Sequence, residues 1–117
     1  MTYQEFKNKI KSLADSLSVP FAYYQFEGEK KDLPEPPFLI FNYPESDDFY
    51  ADNINYQGKT EVELFYCSDE KDFAAEQTIE DFFRSNEMTY TKEQTYIDTS
   101  EMWETKYNTE VFINEQS

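Results

Sequence analysis

The stretch "TEVELFYC", residues 60–67, alternates strictly. Val62, Leu64 and Tyr66 fall on one side of it, and Glu61 and Glu63 fall on the other. Side chains of a strand alternate between its two faces, so this segment predicts a strand with one dry face and one wet face. A sheet that contains it can be covered by helices on one side only, which restricts the chain to a layered arrangement with an open sheet face.

Two segments supply the helices. In "TYQEFKNKIKSLADSL", residues 2–17, Tyr3, Phe6, Ile10, Leu13, Ala14 and Leu17 recur at spacings of three and four, which makes one apolar stripe. Thr2 and Glu5 have capping-box spacing, and Pro20 stops any continuation by disfavouring a helical residue before it. The second segment, "SDEKDFAAEQTIEDFFRSN", covers residues 68–86. Ser68 is the expected cap, Asp69, Glu70 and Asp72 suit the positive end of the helix dipole, and Asn86 is the expected end. Ala75, Ile79, Phe82 and Phe83 form its expected buried stripe.

The remaining segments read as strands and turns. "FAYYQF" (21–26) is rich in β-formers between Pro20 and Gly28. The charged, proline-rich "EGEKKDLPEPP" is a loop. "FLIFNY" (38–43) is apolar in both alternating sets, which predicts a central strand covered on both faces. "NINYQGKTEVELFY" suits a hairpin with its turn near Gln57 and Gly58. A second hairpin pairs 88–97 with 102–113 across "DTSE". In its second arm Trp103, Tyr107, Val111 and Ile113 share one face, while Glu104, Lys106 and Glu110 share the other. The whole is one α+β domain, residues 1–117: a mainly antiparallel β-sheet with two α-helices packed on one face. Its wet face carries Glu61, Glu63, Glu104 and Glu110.

Composition narrows function mainly by exclusion. Asp and Glu number 25 against 10 Lys and Arg, a net charge of −15. Such a field repels phosphates and anionic membrane surfaces, so ordinary nucleic-acid binding is not expected. The excess charge serves solubility, or forms a negative surface that slides past or imitates DNA. Histidine is absent, which removes imidazole from any triad or zinc site. Cys67 is the single cysteine, so no intrachain disulfide forms, and it reads as a small buried residue suited to a reducing compartment. The two glycines, Gly28 and Gly58, make no phosphate loop. No basic-then-apolar leader pattern occurs, and no apolar run approaches the roughly 18 residues of a membrane span. No cofactor is implied, and nothing in the pattern points to an enzyme.

One acidic stretch invites chemistry. "FNYPESDDFYADNINY" (41–56) sets Glu45, Asp47, Asp48 and Asp52 among aromatic rings. A calcium loop needs regularly spaced oxygens, a glycine at the bend and a closing glutamate, and this stretch has none of that spacing. An acid/base pair would need a buried carboxylate, whereas these lie where the chain is most polar. The stretch reads as a solvated strand connection. Its alternative role is as a partner contact, with Phe49 and Tyr50 as anchors inside an acidic rim of Asp47, Asp48 and Asp52. Trp103 is a second candidate contact.

The layout as a whole resembles a known family. An amphipathic first helix runs into "VPFAYYQFEG", then "LPEPPFLIFNYPESDDFYADN", then "KTEVELFYCSDEKDFAAEQTIEDFF", then "YTKEQTYIDTSEMWETKYNTEVFI". In pattern and order this is similar to the small tail-completion proteins (tail-terminator or head–tail joining proteins) of siphophages and prophages of Gram-positive hosts. The resemblance covers nearly the full chain but contains no catalytic signature. It implies a fold like that of the lambda tail terminator and a non-enzymatic structural role. Such proteins form a ring, often of six, that caps the tail tube and docks on the head connector while DNA passes through. The implied partners are copies of the chain itself, the tail tube and connector proteins. The implied location is the virion neck, after assembly in the host cytoplasm. An acidic lumen made by Glu61, Glu63, Glu104 and Glu110, or by the acids of 45–52, would let DNA pass without sticking. The competing expectation, motivated by the charge alone, is a DNA-mimic or inhibitor that binds a basic partner.

Overall fold

A computed structural model describes residues 1–23, 34–44 and 59–113. Helix α1 (Tyr3–Leu17) is followed by strands β1 (Phe21–Tyr23), β2 (Phe38–Asn42) and β3 (Lys59–Ser68). Then come helix α2 (Phe73–Ser85) and strands β4 (Tyr90–Ile97) and β5 (Met102–Phe112). The five strands form one sheet in the order β1-β2-β3-β5-β4. β1 runs parallel to β2, and the other three pairings are antiparallel.

Both helices lie on one face of this sheet. Leu39 and Phe41 of β2, Val62, Leu64 and Tyr66 of β3, and Tyr107 and Val111 of β5 all point to that side and are buried. They meet Phe6, Ile10 and Leu13 of α1 and Ala75, Ile79 and Phe83 of α2 in one apolar cluster. Burying each such side chain contributes about 1.5–3 kcal/mol, so this layer holds the fold together. Phe6 meets Phe41 edge-on at 6.0 Å, and Phe83 stacks on Tyr90 at 5.0 Å.

The first helix follows its sequence closely. Thr2 accepts from the Glu5 amide at 3.0 Å, and the Glu5 carboxylate accepts from the Thr2 amide at 2.8 Å. Ser18 ends the helix in a left-handed turn with φ 58. Phe6, Ile10, Leu13 and Ala14 of the stripe are buried, while Tyr3 at its start is exposed.

The second helix begins later than its sequence suggests. β3 continues through Ser68, which pairs with Trp103, so the chain needs residues 69–72 to turn. Asp72, not Ser68, is the cap, and its carboxylate accepts from the Ala75 amide at 3.0 Å. Ser68 donates instead to the Glu70 carbonyl at 2.7 Å. Asn86 does end the helix, but through its side-chain amide on the Phe82 carbonyl at 2.9 Å. The left-handed residue is the next one, Glu87, with φ 56.

β2 is an interior strand, but the centre of the sheet is β3. Phe38 and Ile40, on the side of β2 away from the helices, are only half-buried. The 88–97 and 102–113 hairpin forms with its turn at 98–101, closed by Glu101 at φ 53. Of the strand expected over 21–26, residues 21–23 are described. The turn expected near Gln57 and Gly58 lies outside the described residues.

Candidate functional site

The sheet face opposite the helices gathers the four glutamates singled out in the sequence. Register places Glu61 directly across from Glu110, and Glu104 across from Cys67, with Glu63 on the same face two residues along from Glu61. The edge strand adds Glu93, across from Lys106, which sequence reasoning missed. Two lysines stand among the five glutamates: Lys106, which the alternation already set beside Glu104 and Glu110, and Lys59 at the start of β3. Lys106 lies 3.1 Å from Glu63, and Lys59 lies 3.6 Å from Glu110. Like charges directly opposed on a sheet are mutually destabilising, so Lys59 offsets part of the Glu61–Glu110 repulsion. The face is also divided lengthwise. Charge dominates where β3 begins, although exposed Phe112 lies there across from Lys59, and half-buried Phe38, Ile40, Phe65 and Met102 stand toward the other end around Glu104. Buried Cys67 sits at that apolar end, where burial first and the Glu104 carboxylate second push its thiol up to about 12.

Trp103 lies half-buried on the helix side of the sheet, across from Ser68 of β3 and Tyr96 of β4. It meets Tyr96 of β4 edge-on at 5.3 Å. The Lys71 ammonium lies over the Trp103 ring at 5.0 Å and over the Phe73 ring at 5.5 Å. Phe73 is 71% exposed, the most open of the large apolar side chains described. Trp103 was legible as a contact candidate, but Lys71, Phe73 and Tyr96 were not. The available signal was that Phe73 falls outside the Ala75–Ile79–Phe83 stripe, so the helix cannot bury it.

A polar network ties α2 to the two C-terminal strands. Lys92 of β4 donates to Glu76 and to Glu80, each at 2.7 Å. Gln94 donates to Glu76 at 2.7 Å and to the buried Thr105 hydroxyl at 3.0 Å. Tyr107 donates its hydroxyl to Glu80 at 3.0 Å. Burial alone would push the Glu80 carboxyl up, but the hydrogen bonds from Lys92 and Tyr107 hold it below the usual carboxylate range. Burial would pull the Lys92 ammonium down, but Glu76 and Glu80 hold it above the usual range. The Tyr107 phenol is pushed up by burial and then by Glu80. The Tyr66 phenol rises to about 12 through burial and through Asp72. All of these shifts lead away from neutrality. General acid/base chemistry uses groups poised near the working pH, whereas this network holds its ions in fixed states. Sequence reasoning missed it. Its signal was that Glu76 and Glu80 flank Ile79 on the buried side of the helix.

A cleft of about 380 Å³ opens on the helix side at the β1 edge, lined by Tyr3, Gln4, Lys7, Tyr23, Phe41 and Tyr43. Tyr23 packs on Phe41 at 5.4 Å and on Tyr43 at 5.5 Å, and Tyr3 meets Tyr43 edge-on at 5.0 Å.

Asp47, Asp48, Phe49, Tyr50 and Asp52, with Glu45, lie outside the described residues. Among the described residues no three carboxylate or thiol side chains converge as a metal cage. No described helix is long and apolar enough to cross a membrane. Compared with known proteins, the chain matches no family model, no curated protein and no solved structure.

Proposed function

We propose that this chain is a non-enzymatic structural protein of a phage or prophage tail. It caps the tail tube and joins it to the head connector as a ring, with the open sheet face turned toward passing DNA. The observation that carries the reading is the gathering of Glu61, Glu63, Glu93, Glu104 and Glu110 on one helix-free face, in a chain of net charge −15. Five glutamates against Lys59 and Lys106 leave that face negative, which suits a surface that must not hold DNA. The resemblance in segment order supplies the tail assignment, and the fixed charge states around Glu80 and Lys92 favour a structural role over catalysis. The working location is then the virion neck, after assembly in the host cytoplasm.

Light scattering across concentration, followed by negative-stain images, tests this. Closed rings are the expected result, and charge reversal at Glu61 and Glu110 should make them retain DNA. A strict monomer that instead captures a basic DNA-binding enzyme in a salt-sensitive way would replace this reading with the DNA-mimic one.

A further inference from the structure

Two features belong neither to the open sheet face nor to the polar network. One is the aromatic knob made by Phe73 with Lys71, Trp103 and Tyr96. The other is the aromatic cleft beside Tyr23 and Lys7. The knob stands over β5 and β4, and the cleft over β2 and β1, at opposite edges of the same sheet. Both lie on its helix side.

We propose that knob and cleft are the two halves of one head-to-tail self-contact, in which Phe73 of one copy enters the cleft of the next. Because they sit at opposite edges, a chain cannot satisfy its own cleft, and the contact is heterologous. Shape and charge favour a second copy as the occupant. The cleft is at the small end of the size range of ligand pockets and is walled by aromatic rings, which suits one inserted aromatic side chain. Around the knob the segment 68–73 presents exposed Asp69, Glu70 and Asp72 against one lysine. Among the described residues that line the cleft, Lys7 of α1 is the one that carries a charge, and it is positive in a strongly negative chain. An aromatic anchor buried in a pocket is the usual core of an interface hot spot, and the acids beside the knob facing Lys7 would set its register. The proposal rests on the ring reading only in taking a second copy as the partner.

Sedimentation velocity on the full chain and three variants tests it. Phe73→Asp removes the knob, Lys7→Glu reverses the charge at the cleft, and Gln4→Trp fills the cleft from an exposed position. Each variant is expected to weaken association by about tenfold or more. The decisive sample mixes Phe73→Asp with Lys7→Glu. One intact knob and one intact cleft remain, so the mixture should give heterodimers and nothing larger. A mixture that stays monomeric, or variants that assemble as the wild type does, overturns the contact while leaving ring formation by another surface standing. Heterodimers in the mixture together with open chains of the wild type uphold the contact and overturn the closed ring. A wild type that is monomeric up to its solubility limit overturns the contact, and the cleft then serves another ligand.

Discussion

Tyr107, fully buried in β5, donates its hydroxyl to Glu80 of α2 at 3.0 Å. The tyrosine is therefore a core residue by its ring and a helix anchor by its hydroxyl. Its ring packs against Phe83 at 5.4 Å and Tyr90 at 5.7 Å. The Lys92 ammonium stands 5.9 Å from the ring centre while bonding the same glutamate.

Tyr107→Phe keeps that packing and deletes one bond to a charged acceptor. The expected cost is about 1.5–3 kcal/mol, seen in urea unfolding as a lower midpoint with an unchanged slope. A loss below about 0.5 kcal/mol would show that Lys92 alone satisfies Glu80.

Lys92→Met removes the one cation shared by Glu76 and Glu80 and leaves the buried Glu76 carboxylate with the neutral Gln94 amide as its donor. Removing one partner of a fully buried pair costs about 3–5 kcal/mol; with Lys92 34% exposed, roughly 2–3 kcal/mol is expected here. The double variant Glu76→Gln with Lys92→Met should be less destabilised than the two single losses added together. A double-mutant cycle that shows simple additivity would mean the ion pair is incidental.

Alkaline loss of stability should come before any loss on the acid side of neutrality. Cys67 has a folded value near 12 against an ordinary 9.0, so its contribution is complete below about pH 9 and fades as pH rises through the folded value. Tyr66, Tyr107 and Lys92 are also raised, so they act in the same direction above about pH 10. Glu80 is lowered, so its contribution is complete above the ordinary glutamate value and is lost as pH falls through the lower folded one. Thermal melts should therefore be flat between about pH 5 and 9, with the earliest alkaline fall delayed in Cys67→Ala. An alkaline fall that is unmoved by that substitution would assign it to the tyrosines and lysine.

The same burial makes the Cys67 thiol a poor nucleophile, because the thiolate is the reactive form. Labelling by a thiol reagent at pH 7.5 should be slow and should follow the unfolding rate as urea is added. Rapid labelling of the folded chain would mean that the apolar end of the open face parts readily.

Thr2→Ala should cost about 1 kcal/mol, because it removes the bond to the Glu5 amide at the start of α1. Circular dichroism during unfolding would show the loss. No change would mean that water takes over the cap.

Much of this fold is written in local pattern. The stripe from Phe6 to Ala14, the Thr2–Glu5 box and the alternation through Val62, Leu64 and Tyr66 are each a property of a few adjacent residues. Periodicity also put Glu61, Glu63, Glu104 and Glu110 on the open face, because a strand's side-chain period is two whatever its neighbours. Tertiary structure decided what depends on register and strand order. Ser68 stayed in β3 because Trp103 pairs with it, a partner 35 residues away that no local signal names. β3 took the centre of the sheet because β2 and β5 both pair with it. Lys92 reached Glu76 and Glu80 only because β4 is the edge strand beside β5, across which α2 lies. The division is physical: local sequence sets which face a side chain takes, and only the closed fold brings distant faces together to make a charge buried, paired or open.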